Sequence, residues 1–592
     1  MTFSFTSGTR RRWKFSIAAP AVALLLFAAS ACGGSSSSDD SSSSDSSSSS
    51  DDSSSSDDSS SSDDSSSSDD SAAVEPYGTL RIGFAAIGPI QLYPPYDGLP
   101  GQFLDTTSIY EGWLDYSTQV DPWLAESWSV SDDNLTWTFK FREGVQFHGG
   151  WGEMTSEDVI FSMEQHMVED ATNQAGSSIS KELGPGGSYR AVDKYTVEVT
   201  LEKPSYSLLL GLSGGVQLTV FPKAWFESVG IEEATLHGIG TSAWAWESGS
   251  SNEIFRYSAV KDHWRHTPEF EFLEYVEIPE TATLVANYQT GQIDAFTIGT
   301  FGASPLSFDE IAVIREVEGG VIKAYDDMAQ VFIDFHGMNY VRRPLGDQPW
   351  ISQDPDTSST AWKNAVKVRK AMNIAIDREL IIDNLLLGQG TVPTKWVPGP
   401  PAGQNNWGEY DPDKARTLLA EAGYPDGFKA PMSLVNVFDG NPNNAGQAVC
   451  PMWEKELNIV CEIENAGIAD FRAMGWVEGR YNGLTPHPAG AVLDPMTYAV
   501  YNTHSRGVLN FPGEHPEQDA LIEKHEYSFT QADRETGANA WQQWMYDNQV
   551  VMPLFNTPVF AAFGPNVNPW PIDGREAGFF YLSRYDLATH KN

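Results

Sequence analysis

The stretch from Trp123 to His148 constrains this chain more than any other. Between Thr136 and Arg142, apolar Trp137, Phe139 and Phe141 alternate with Thr138, Lys140 and Arg142, the period of a strand with one buried face. Ser127 to Val130 has the same parity. Ser131, Asp132, Asp133 and Asn134 lie between the two runs and bond their own backbone readily, so the local reading is a β-hairpin. A helix start follows, because the Thr155 hydroxyl stands three residues before the Asp158 carboxylate, ahead of Val159, Ile160 and Met163. Farther on, Val197, Val199 and Leu201 alternate with Glu198, Thr200 and Glu202, which predicts another half-buried strand.

A chain of 592 residues has room for several domains. Its net charge of -43 excludes a nucleic-acid partner, since phosphates would be repelled. Nineteen Trp residues supply a core and leave aromatic surface to line a pocket. Residues 1–31 read as an export signal: Arg10, Arg11, Arg12 and Lys14 precede an apolar run, Ile17 to Phe27, that is shorter than the roughly 20 residues of a membrane span. Ala29, Ser30 and Ala31 precede Cys32, which fits a lipoprotein cleavage site and also an ordinary A-x-A site, both cut at the same bond. Lipidation of Cys32 is the expectation. Ser35 to Ser71 contains only Ser and Asp, so residues 32–75 read as a lipid-bearing Cys and a disordered tether about 35 Å in mean span.

Two formal motif matches fail on context. Gly211 to Gly215 has the nucleophile-elbow spacing around Ser213, but Val216, Leu218 and Val220 alternate like a strand where a helix is required. Gly238 to Ala243 has the dinucleotide-fingerprint spacing, again with no helix start behind it. His263 and His266 have no cluster of acids or Cys converging on them in sequence, so they read as surface histidines and no metal or cofactor is expected. In an exported chain Cys450 and Cys461 are expected to pair; two buried free thiols are the alternative.

The residues Leu124 to Gly150 with Thr155 to Ser162, the Tyr110-Glu111-Gly112 run in Thr106 to Tyr116 (expected as a helix), the Val368-Arg369-Lys370-Ala371 and Ile376-Asp377-Arg378 pair, and Tyr410 to Phe428 together resemble the family 5 extracellular solute-binding proteins, receptors of peptide, nickel and oligosaccharide ABC importers. In Tyr410 to Phe428, Asp411 is expected to cap a helix that Gly423 stops. Val366 to Leu385 carries a helical apolar stripe, and Pro431 to Phe438, Asn444 to Leu457 and Ile459 to Ile463 read as strand, helix, strand.

The resemblance implies an α/β, two-lobed periplasmic-binding-protein-like fold (type II, cluster C-like) with an extra subdomain in lobe one. Lobe one would span 76–326, lobe two 327–556, and 557–592 would return to lobe one, with hinges near Tyr325 to Gln330 and Met552 to Pro558. It further implies an exported receptor, lipid-anchored on the outer face of the cytoplasmic membrane, that hands a peptide, oligosaccharide or related solute to ABC permease and ATPase subunits and performs no catalysis. A secreted hydrolase or a sensory receptor on the same fold is the alternative. The ligand-contact expectation falls on Tyr93, Trp396, Trp407, Phe438, Asp439, Ala491 and Asp494. Peptide-binding relatives place an amine-anchoring Asp where this chain has Ala491, which a methyl cannot replace, so the solute is expected to differ from an ordinary peptide; the alternative is a shifted alignment in this loop with another acid, such as Asp439, as the anchor.

Overall fold

The computed structural model describes residues 75–96, 108–116, 120–168, 171–212, 218–298, 306–342, 344–397, 405–435, 441–467, 481–490, 494–507, 513–571 and 584–591. The expected export signal, Cys32, the tether, Ser213, Phe438, Asp439 and Ala491 lie outside them. The first strands are β1 (Thr79–Phe84), β2 (Leu114–Tyr116), β3 (Val120–Pro122), β4 (Ala125–Val130), β5 (Thr136–Phe141), β6 (Ser188–Asp193), β7 (Thr196–Thr200) and β8 (Trp244–Ser250). They are followed by β9 (Ile254–Ala259), β10 (Phe272–Glu277), β11 (Ala295–Ile298), β12 (Val321–Phe335), β13 (Lys429–Val435), β14 (Val460–Ala466), β15 (Leu484–Gly490) and β16 (Val551–Phe563).

One ten-stranded sheet, ordered β14-β13-β15-β12-β16-β11-β1-β10-β9-β8, runs through two lobes. Its middle is a ribbon of β12 and β16. The first part of β12 pairs with the end of β16 beside β11, and the later part, Ala329 to Phe335, pairs with β15 on one side and the start of β16 on the other. Every residue of β16 is buried, as its near-continuous apolar run requires of a strand covered on both faces. The pairing of β12 with β16 slips between Tyr325 and Ala329 and again between Val331 and Phe332.

The expected hairpin is β4 and β5, antiparallel, with Ser131 Oγ accepting from Thr136 N at 2.9 Å and Asn134 taking the left-handed conformation (φ 59°). It joins β7 and β6 in a four-stranded sheet. Trp137, Phe139 and Phe141 point into that sheet's own core, where Trp113 meets Phe139 and Phe141 edge-on at 5.3 and 5.1 Å. The helix Ser156–His166 covers it, and Asp158 Oδ2 accepts from Thr155 N at 3.0 Å as the capping spacing predicts.

Three expectations are corrected. Thr106 to Tyr116 is not one helix: Leu114–Tyr116 is β2, paired with β3, because strand pairing satisfies this backbone better than a lone turn. Ile109 and Trp113 are nonetheless core. The stripe from Val366 to Leu385 is divided into helices Thr360–Ile374 and Arg378–Leu385, where Asp377 accepts from Leu380 N and starts a new helix. His263 is not a surface histidine; its side chain is buried and its Nε2 lies 2.8 Å from the Thr241 carbonyl. Pro412–Glu421, by contrast, is a helix capped by Asp411, with Gly423 beyond it at φ 100°. Cys450 and Cys461 form a disulfide that ties the helix Asn441–Leu457 to β14.

Candidate functional site

Strand direction locates the site. In lobe one β1, β10 and β11 are mutually parallel, and in lobe two β13, β14 and β15 are. Open parallel sheets bind ligands outside the carboxyl ends of their strands. The last residue of β11, Ile298, is level with Phe560 of β16. The last residue of β15, Gly490, is level with Ala329 of β12, which is itself level with Thr557 of β16. Only Pro558 and Val559 separate those two levels, so at about 3.4 Å per residue the carboxyl ends of both lobes face each other across about 10 Å of ribbon. This crossing is the candidate floor of a ligand cleft.

A buried amide pair organises the lobe-two wall there. Gln330 Nε2 donates to Asn556 Oδ1 at 2.8 Å, joining the two crossing strands side chain to side chain, and to the Lys395 carbonyl at 3.0 Å. Its Oε1 accepts from Val397 N at 3.0 Å. Val397 has φ 64°, a left-handed conformation costly for a β-branched residue, and strain of this kind gathers at ligand sites. Asn556 also exchanges backbone hydrogen bonds with Thr391. Gln330 and Asn556 thus hold the loop that carries Trp396 against the crossing.

Trp396 lies on an aromatic bed: Trp541 at 5.3 Å, Tyr498 at 5.7 Å and Phe332 at 5.7 Å between ring centroids. Beneath it Asp334, two residues beyond Phe332 on the same face of β12, is fully buried and neither carboxylate oxygen has a hydrogen-bond partner. Desolvation pushes its carboxyl well above the usual carboxylate range, and the Tyr498 hydroxyl is pushed up by burial and by the nearby Asp334. His487, facing Phe332 on β15, is pushed down to about 3 by burial and stays neutral.

The other expected contacts fall in several places. Asp494 caps the helix Pro495–Asn502, accepting from Thr497 N at 2.9 Å, and its carboxylate is ion-paired with Arg534. Tyr93 packs on Phe226 (5.2 Å) in the lobe-one core and donates to Gln165 Oε1 at 2.8 Å. Trp407 packs edge-on against Tyr546 at 4.9 Å. The structure therefore brings Trp396 together with the helix that Asp494 starts and leaves Tyr93 and Trp407 in separate packing environments. Gln330, Asn556, Tyr498 and Asp334 were not singled out in the sequence. Among the described residues no group of three or more His, Cys, Asp or Glu could hold a metal ion, and no helix is long and apolar enough to cross a membrane.

Residues 119–510 match the profile of the bacterial extracellular solute-binding proteins, family 5 (middle region), which is more than half of the chain. The chain belongs to this family. Heme-binding protein A of Haemophilus influenzae is 25% identical over 364 residues, 57% of this chain and 61% of that protein. The glutathione-binding protein GsiB of Escherichia coli is 26% identical over 355 residues, 59% of this chain and 62% of that protein. The chain thus spans about three fifths of the length of these curated relatives. The fold is also that of the periplasmic binding protein DppA from Helicobacter pylori, solved with the peptide STSA (TM-score 0.68, 19% identity, covering 87% of this chain and 98% of that one). As a family 5 protein it has the two-lobed α/β architecture, and the proteins it is similar to are solute-binding proteins.

Proposed function

We propose that this chain captures a small solute between its two lobes and delivers it to the permease of an ABC importer, without breaking any bond in it. The observation that carries this is the facing of the strand carboxyl ends across the ribbon, with family membership behind it. Lobe one would span 76–326 with the return at 557–592, lobe two 327–556, and the slip between Tyr325 and Ala329 supplies a bending point. Closure brings both walls onto the solute, so binding favours the form a transporter recognises. Residues 1–31 would direct export, and Cys32 would carry a lipid, with the Ser and Asp tether holding the body off the outer face of the membrane.

The solute is read as something other than an ordinary peptide. Ala491 offers no carboxylate to an α-amino group, and the next acid in the run, Asp494, is already committed to Arg534 and a helix cap. The aromatic set around Trp396, which is itself 1% exposed, is read as favouring a sugar-like, aromatic or amphipathic ligand once the lobes part. The test is a thermal-shift series with haem, reduced glutathione, the tetrapeptide Ser-Thr-Ser-Ala and oligosaccharides. A true ligand at 100 times its dissociation constant stabilises by about 2.7 kcal/mol. The reading predicts no shift with the tetrapeptide and a gained shift in Ala491→Asp. Turnover of any of these compounds by the purified protein overturns it.

A further inference from the structure

A second junction between the lobes lies outside the ribbon. The segment from Glu526 to Phe529 links the helices Pro516–His525 and Gln531–Asp547 of lobe two. Its Phe529 nevertheless packs against the core of the four-stranded sheet, 5.6 Å from Trp137 and 6.5 Å from Tyr206 between ring centroids. Glu526 accepts an ion pair from Lys181 at 2.8 Å, on the helix Gln174–Leu183 of the same subdomain, and another from Arg506 at 3.0 Å. Arg534 Nη1 donates to the Glu526 carbonyl at 3.0 Å, and the Lys203 ammonium sits 5.0 Å from the centroid of the Tyr527 ring.

Burial at this junction centres on its acids, while Lys181 and Phe529 stay partly exposed. The Glu526 side chain is 5% exposed, and Oε2 of neighbouring Glu182 is buried with no hydrogen-bond partner. Parting the lobes here would expose Phe529 and Trp137 together and would separate Lys181 from a desolvated carboxylate. The first step loses apolar burial, and the second removes one of the two cations paired with the Glu526 carboxylate, leaving Arg506 of its own lobe in place.

We propose that Phe529 and the Lys181–Glu526 pair form a ligand-independent latch, which holds the subdomain against lobe two so that the empty receptor is predominantly closed. The latch rests on the clamshell reading above. It sets the fraction of binding-competent molecules, and apparent affinity scales with that fraction. Because its residues come from outside the ribbon and the Trp396 loop, closing bias and solute choice are tuned by different side chains.

Small-angle scattering on the ligand-free mature protein tests this without any solute. The wild type is expected to show a single compact radius of gyration. Lys181→Ala and Phe529→Ala are each expected to lower the closed-to-open ratio about tenfold, a change of about 1.4 kcal/mol, and to expand the particle, more so together. Phe529→Leu, which keeps an apolar knob, is expected to stay compact, separating unlatching from misfolding. A wild type already open when empty, or a double variant as compact as wild type, overturns the latch. Either result leaves solute capture standing, because the thermal-shift series decides that separately.

Discussion

Two aromatic interiors of this molecule are built on opposite terms. Under the four-stranded sheet, Phe139 sits between Trp113 and Trp137 and the surrounding side chains are almost wholly apolar. In lobe two a comparable cluster of rings includes Trp396 and Tyr498, and Tyr498 lies near the buried, unpartnered Asp334. The first interior is organised mainly for packing, with only the indole nitrogens of Trp113 and Trp137 among these rings buried without partners. The second accepts the desolvation of a carboxyl next to the cleft, and buried polar groups left unsatisfied are uncommon enough to mark a place where stability has been given up. The difference teaches that aromatic content does not identify a binding wall, whereas what the rings enclose does.

The sharpest way to break the comparison is to empty the first interior. Phe139→Ala is expected to destabilise by about 3–5 kcal/mol in chemical denaturation, because removing a fully buried ring leaves a cavity that the packed strands can only partly close. If the loss is below about 1 kcal/mol, the subdomain core is not close-packed. Reducing the Cys450–Cys461 disulfide, which touches neither interior, is expected to cost about 2–3 kcal/mol through the unfolded chain and to leave solute binding intact.

In the second interior the sign reverses. The folded carboxyl of Asp334 is raised above its ordinary 3.8, so between that value and its raised value the folded state holds a proton that the unfolded state has released. Stability therefore falls as pH rises through that window. Asp334→Asn is expected to raise stability at pH 7 by about 1–3 kcal/mol, with the gain gone below pH 3.8. Melting temperatures across pH 3 to 8 check it, and a loss at pH 7 would mean that the carboxylate has a counter-charge. The smallest expected effect on stability is at Gln330→Ala, about 1 kcal/mol, accompanied by weaker capture of whichever solute the thermal-shift series identifies, since the Val397 conformation loses its acceptor. Equal affinity in that variant would show that the Trp396 loop is held by other means.

Local patterns carried much of the fold. The hairpin was legible because alternation over six residues and a polar turn leave few alternatives, and Asp411 with Gly423 bracketed a helix by capping chemistry. Thr106 to Tyr116 misled because a three-residue strand is stabilised by its partner β3 and not by its own pattern. His263 misled because its burial depends on Thr241 and Glu111, neither adjacent in the chain. At the candidate site, Trp396 was found by residue type, but Gln330 and Asn556 were not, since an amide says nothing until a strand 226 residues away is laid beside it.

The sequence by itself determined the elements, the family and the export chemistry expected of the first residues, because periodicity, caps and motifs are set by neighbours within a few positions. Tertiary structure alone decided that the carboxyl ends of the two strand sets face each other across the ribbon, that Asp334 is buried without a partner, and that Phe529 packs against the core of the four-stranded sheet. Those facts depend on strand register and on desolvation, and both are set by residues hundreds of positions apart meeting in space.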